Sequence, residues 1–171
     1  MKKQLLFLLV MLMLVSCHKH KDKISPILTT DEVNKDLILE MVNNVRIYGY
    51  NLKDKFIETD NHNLCKLTWN NDLYLAAKIQ SLHIYKTGEF RHVWSSGVTP
   101  NQRLQRVNSN RNYRPIGENI AWGYRSEVKV LNGWLNSTGH RECILNNVYN
   151  VIGVSNINGC WTMVLGYDPY Q

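Results

Sequence analysis

The apolar run Leu5 to Val15 sets the first limit on what this chain can fold into. It follows the cationic start Met1-Lys2-Lys3 and closes on Leu14-Val15-Ser16-Cys17. A membrane-spanning helix needs about 20 apolar residues, so this run is too short to be one. Charge, apolar core and small residue before the cut have the layout of a secretory signal. The cysteine that follows gives the end of the run the form of a bacterial lipobox, in which the Cys17 thiol receives the lipid. Residues 1–16 are therefore expected to be a lipoprotein signal peptide, 17–28 a lipidated tether and 29–171 the folded domain. No later stretch is apolar enough to span a bilayer, and two or more acyl chains make a stable anchor. The expected location is the cell envelope, outside the cytoplasm and held by lipid. The sequence leaves open which membrane or surface that is.

Charge enters the argument at the tether. The chain carries a formal net charge of +6, and without Lys2 and Lys3 there remain 18 basic against 14 acidic residues. Part of the excess sits in His18-Lys19-His20-Lys21-Asp22-Lys23. That run reads as a solvated tether, able to lie against anionic headgroups, and not as a nucleic-acid site.

Periodicity sorts the rest. Thr29 with Glu32 forms a capping-box pattern, and Val33, Leu37, Met41, Val45 and Tyr48 recur at helical steps up to Gly49. Residues 50–66 read as polar and irregular, followed by a short extended Leu67-Thr68-Trp69. Asn70-Asn71-Asp72 can cap a second helix whose inward face is read as Leu75, Ala76, Ile79, Leu82 and His83, with Gly88 past its end. A loop-rich stretch, with a short helix possible after Pro100, leads to an Ile120-Ala121-Trp122 strand. Ser126 then caps a helix burying Val130, Leu131, Trp134 and Leu135. Val151–Ser155 and Trp161–Leu165 flank the turn Asn156-Ile157-Asn158-Gly159, which predicts an antiparallel hairpin. Helices early and strands late indicate an α+β fold. Trp69, Trp122, Trp134 and Trp161 are expected in the core.

Beyond Cys17, the cysteines are Cys65, Cys143 and Cys160. Outside the cytoplasm disulfides persist. Cys143 and Cys160 would stand at opposite ends of the hairpin, too far apart to bridge easily, so Cys65 with Cys143 is the pairing expected.

Three segments carry chemistry: Glu89-Phe90-Arg91-His92, Gly117-Glu118-Asn119-Ile120-Ala121-Trp122, and Gly133-Trp134-Leu135-Asn136-Ser137-Thr138-Gly139-His140-Arg141. In this order and spacing they resemble the CAP superfamily (cysteine-rich secretory proteins, antigen 5, pathogenesis-related 1), bacterial branch. Asn43-Asn44-Val45-Arg46, Leu67-Thr68-Trp69-Asn70 with Ala76-Ala77, Ile152-Gly153-Val154 and Trp161-Thr162 extend the likeness over roughly residues 33–167. The resemblance implies a three-layer α-β-α sandwich with a small antiparallel sheet. It also implies a cleft holding His92, Glu118 and His140. The second acid of many relatives falls at Ser137 here, and a histidine frequent in bacterial relatives falls at Gln80. Glu127, seven residues before Trp134, is poorly spaced to replace that acid.

Two imidazoles and a carboxylate can hold Zn²⁺ with an open fourth position, and the bound water could then attack a peptide or polymer bond. The same three groups can equally form a structural polar network, since a buried carboxylate needs partners. Ser137, Trp94 and Asn119 are read as residues flanking the cleft. Ser137 and Cys143, near His140, are more naturally a turn residue and a bridge or buried thiol than nucleophiles. Arg103 and Arg141 are more naturally ion-paired within the fold than anion ligands. No catalytic residue is assigned. The expectation is a binding module that holds a lipid, small molecule or partner protein in the cleft. A zinc hydrolase and a structural envelope protein are the alternatives.

Overall fold

The computed structural model describes residues 33–53, 55–59 and 64–171. The signal, the lipobox cysteine, the tether and the Thr29–Glu32 capping pair lie outside them. Helix α1 (Lys35–Ile47) is capped by Asn34, whose side chain accepts from the Leu37 N–H. Strands β1 (Tyr50–Leu52) and β2 (Lys55–Ile57) pair as a small antiparallel ribbon in the stretch read as irregular. Then come β3 (Thr68–Trp69), α2 (Asn71–Thr87), α3 (Pro100–Val107), β4 (Ile116–Trp122), α4 (Glu127–Leu135), α5 (Thr138–Ile144), β5 (Val151–Ile157) and β6 (Cys160–Gly166).

The main sheet has the order β3-β5-β6-β4. β4 and β5 run antiparallel to β6, and the two-residue β3 is parallel to β5. Asn158 and Gly159, both at positive φ, turn β5 into β6, as an Asn-Gly pair is suited to do. Alternation along β5 separates the layers. Ile152 and Val154 face one cluster with Ile38 and Val42 of α1, Trp134 of α4 and Ile144 of α5. Val151 faces another with Leu73, Ala76 and Ala77 of α2 and Leu104 of α3. The fold is α+β, a sheet between two helical layers.

Between the two facing β5 positions, Gly153 lets α2 sit directly on the sheet. A Cβ there would lie 2.1 Å from the Tyr74 backbone nitrogen. This is the close approach for which a strand glycine is kept.

Two helix faces differ from the reading by periodicity. In α1 the buried residues are Ile38, Val42, Val45 and Arg46, while Leu37 and Tyr48 are exposed. In α2 they are Leu73, Ala76, Ala77, Gln80, Ser81 and Ile84, and Leu75 is 43% exposed. Both helices carry apolar residues on more than one side. Packing chose the stripe with the small residues Ala76, Ala77 and Ser81, because only those allow α2 its close seat over Gly153. Trp134 and Trp161 are core residues, whereas Trp122 is 57% exposed and Trp69 half-buried.

The expected Cys65–Cys143 bridge is not formed, and Cys65, Cys143 and Cys160 are free thiols. The Cys65 Sγ points to the Tyr149 carbonyl at 3.5 Å. The Cys143 Sγ packs over Gly117, where a Cβ would stand 2.6 Å from it. Each sulfur is thus turned to a different neighbour.

Candidate functional site

The loop carrying His92 is clamped on both sides. From α2, the Gln80 amide donates to the Arg91 carbonyl at 2.8 Å, and its oxygen accepts from the Trp94 indole at 2.7 Å. His83 stacks on Trp94, with ring centroids 3.9 Å apart and planes within 9°. Glu89 pairs with His83 at 2.7 Å and accepts from the Ser95 N–H at 2.8 Å. The His83 hydrogen bond, with Ser95 and nearby Arg91, holds the Glu89 carboxyl at about 2, well below its ordinary 4.5. From α3, Arg103 donates to the His92 carbonyl at 3.0 Å and the Val98 carbonyl at 3.3 Å.

Glu118 rises from β4 into this frame with its side chain only 3% exposed. Arg103 Nη2 donates to Oε2 at 2.6 Å, and His92 Nδ1 meets Oε1 at 3.0 Å. A carboxylate only accepts, so Nδ1 carries the proton, and whenever the ring is neutral its lone pair is on Nε2. The His92 side chain is 48% exposed. The carboxylate therefore orients an imidazole that solvent can reach.

His140 arrives from the other direction. Ser137 occupies the N-cap position of α5 but makes no side-chain cap bond, and His140 lies within that helix's first turn. The neighbour of Glu118, Asn119, is buried and donates to the His140 carbonyl at 3.0 Å. Burial, and then the nearby His92 charge, hold His140 below its ordinary imidazole value of 6.5. On unfolding, His140 regains that ordinary value. Below about pH 6.5 the unfolded chain then binds the proton first, and stability falls with pH. Urea unfolding of wild type and His140→Gln across this range should show the steeper decline in wild type. Parallel curves would deny the coupling.

Of the three residues singled out from sequence, His92 and Glu118 meet directly, while His140 is tied in through its carbonyl, which accepts from Asn119. Among the described residues, no group of three His, Cys, Asp or Glu side chains is placed to hold a metal ion. Both Glu118 oxygens are already engaged, one by a buried guanidinium that supplies the positive charge a cation would bring. With Glu118 so engaged, His92 and His140 are the donors of the three that remain for a zinc ion. Trp94, expected beside the cleft, is half-buried between His83 and Arg103, whose guanidinium lies 5.5 Å from its ring centre. Arg141 donates to the Leu135 carbonyl at 2.7 Å. Cys143 is close enough for Glu118 to reinforce burial in raising its thiol to about 12, so it is no thiolate nucleophile. A hollow of about 570 Å³, lined by Gly123, Tyr124, Arg125, Asn158 and Gly159, includes none of the three residues. The chemistry, not the concavity, marks the His92 surface.

Sequence reasoning missed Gln80, His83, Glu89 and Arg103 as the frame of this site. Gln80 had a signal: counted from the Asn70 cap, it falls on the Leu73-Ala76-Ala77 stripe, where a lone polar residue must find partners. Arg103 was expected to be ion-paired within the fold, and it is, but nothing local named Glu118, 15 residues away, as its partner.

Comparison with known proteins places these features in company. Residues 39–162 match the family described as CAP, the cysteine-rich secretory protein family. The membrane protein YlbC of Bacillus subtilis is 33% identical over 93 residues, covering 54% of this chain and 26% of that protein. The Bacillus subtilis protein YkwD is 42% identical over 52 residues, 29% of this chain and 20% of its own length. This chain thus matches about a quarter or less of either curated relative. An extracellular protein of Bacillus anthracis containing an SCP domain superposes with a TM-score of 0.65 at 28% identity, over 78% of this chain and 40% of that one. An outer surface protein of Borrelia burgdorferi gives 0.62 at 20% identity, over 81% and 98%; that likeness concerns the fold alone.

Proposed function

The chain belongs to the cysteine-rich secretory protein (CAP) family, and from that premise we propose that it is an extracytoplasmic, lipid-anchored binding module rather than a hydrolase. The observation that carries this reading is the commitment of Glu118. Its two oxygens balance the buried Arg103 and orient His92, so Glu118 itself is not free to activate water or complete a metal shell. What faces outward is a fixed imidazole with an accepting Nε2, on a loop that also exposes Phe90 and Val93. Such a surface suits an amphipathic ligand or partner that offers a hydrogen-bond donor beside apolar groups.

The location is supported by the signal and lipobox pattern ending at Cys17, and by likeness to a protein described as extracellular. Anchoring follows from acylation of Cys17. The test is a screen of envelope lipid extracts and envelope proteins against wild type and His92→Ala, with zinc calorimetry alongside. Capture by wild type that weakens at least tenfold in His92→Ala, with no stoichiometric zinc at micromolar concentration, is the expected result. One zinc per chain, lost in His92→Ala with His140→Ala, would overturn it in favour of metal-dependent hydrolysis.

A further inference from the structure

Helix α2 has a second apolar stripe that the core does not use. Leu75, Ile79 and Leu82 follow each other along its outer side, and Val107 of α3 joins them. Lys78 and Arg106 border the same shallow hollow of about 410 Å³. Leu75 is 43% exposed, and Tyr85 and Lys86 continue the exposed side toward the end of the helix. The charges here have one sign. The acid of α2 is Asp72, which accepts from Asn108 and Tyr113, and α3 has no acidic residue. Glu89, just past α2, is paired with His83.

We propose that this α2–α3 face docks on an anionic lipid bilayer, with Leu75, Ile79 and Leu82 entering the headgroup boundary and Lys78 and Arg106 meeting lipid phosphates. An apolar strip with a basic rim is the composition that binds at such an interface. Attachment geometry agrees. Val33, the first described residue, shares a hollow with Trp69, Asn71 and Tyr74 at the N-terminal turn of α2. The chain thus enters the domain beside the start of the stripe. If Cys17 carries lipid, the fifteen residues 18–32 can reach about 50 Å when extended, enough to let this face turn to the membrane. A second copy is a poorer occupant, because a two-fold interface over this strip would bring the Lys78 and Arg106 pairs of both copies together.

The proposal rests on the lipid-anchor reading only for its attachment geometry, and the experiment separates the two. The processed chain, residues 17–171 with Cys17→Ser, is floated with phosphatidylcholine vesicles and with equimolar phosphatidylcholine and phosphatidylglycerol. It should partition to the anionic vesicles only, and raising salt should release it. The basic tether contributes equally to every variant, so the differences between variants carry the result. Lys78→Glu with Arg106→Glu should weaken partition by about 25-fold or more, at about fivefold per cation lost. Lys78→Glu with Lys86→Glu, which spares the Arg106 contact to Trp94, and Leu75→Ser should each weaken it too, with unchanged thermal melts. Equal partition of parent and variants, or a dimer that Leu75→Ser dissolves, would overturn the proposal. Mass spectrometry of Cys17 in the wild-type chain reports on the anchor independently. Docking without acylation removes only the anchor, and acylation without variant-sensitive docking removes only the bilayer face.

Discussion

Replacing Glu118 with alanine should lower the unfolding free energy by about 3–5 kcal/mol, because it leaves the Arg103 guanidinium buried without a counter-charge. Arg103 is fully buried, with its side chain 1% exposed, and its Nε already lacks a partner among the described residues. Two backbone carbonyls, those of His92 and Val98, and the face of the Trp94 ring would remain to compensate the charge. For a domain of this size the melting temperature should drop by about 10 °C. Glu118→Gln should cost less, since the amide oxygen still accepts from Arg103. Glu118→Ala with Arg103→Met should recover part of the loss, because the stranded charge goes too. Urea unfolding of the four proteins checks the series. A neutral Glu118→Ala would mean that solvent reaches the pair, and that Glu118 is free for other chemistry. The same variant should loosen His92, so weaker ligand capture is expected at temperatures where the domain remains folded.

The second large effect is at Arg46. This residue is 0% exposed and, among the described residues, its guanidinium meets carbonyls and no carboxylate. It donates to the Ile144 carbonyl at 2.6 Å, Asn146 at 2.9 Å, Cys65 at 3.1 Å and Tyr149 at 3.3 Å. One side chain of α1 thus ties the end of α5, the loop into β5 and the segment before β3. Burial pulls its pKa below the ordinary value, and the nearby Cys65 works against that shift. Arg46→Met fills similar volume but abandons acceptors that cost about 1–3 kcal/mol each when left buried and unpaired. Some will find water as the loop relaxes, so a net loss of at least about 3 kcal/mol is expected, read by urea unfolding. Amide exchange should rise first in residues 144–150. A loss below about 1 kcal/mol would show that the carbonyls rehydrate freely and that the loop is not held from α1.

These two residues also show how legibility divided. His92, Glu118 and His140 were found because each sits in a short motif with distinctive neighbours, and the order of the motifs along the chain carries information. Arg46 stood inside such a motif, but nothing local announced that it would be buried among carbonyls. A guanidinium is ordinarily a surface group. For α2, the outer stripe of Leu75, which is exposed, and Ile79 and Leu82, which are half-buried, is more apolar than the buried one, so periodicity pointed to the wrong side. The helix sits where small residues let it approach Gly153, and that constraint belongs to the sheet beneath it.

By itself the sequence determined the things that are local or ordered along the chain. Those are the caps at Asn70 and Ser126, the Asn158-Gly159 turn, the α+β class and the family pattern of two histidines and one acid. Tertiary structure alone decided which helix face turned inward, that Cys65 and Cys143 stay apart, and that Arg103 takes the charge of Glu118. The physical reason is that caps and turns are settled by bonds within a few residues. Burial, charge compensation and close packing depend on which distant segment comes to lie alongside.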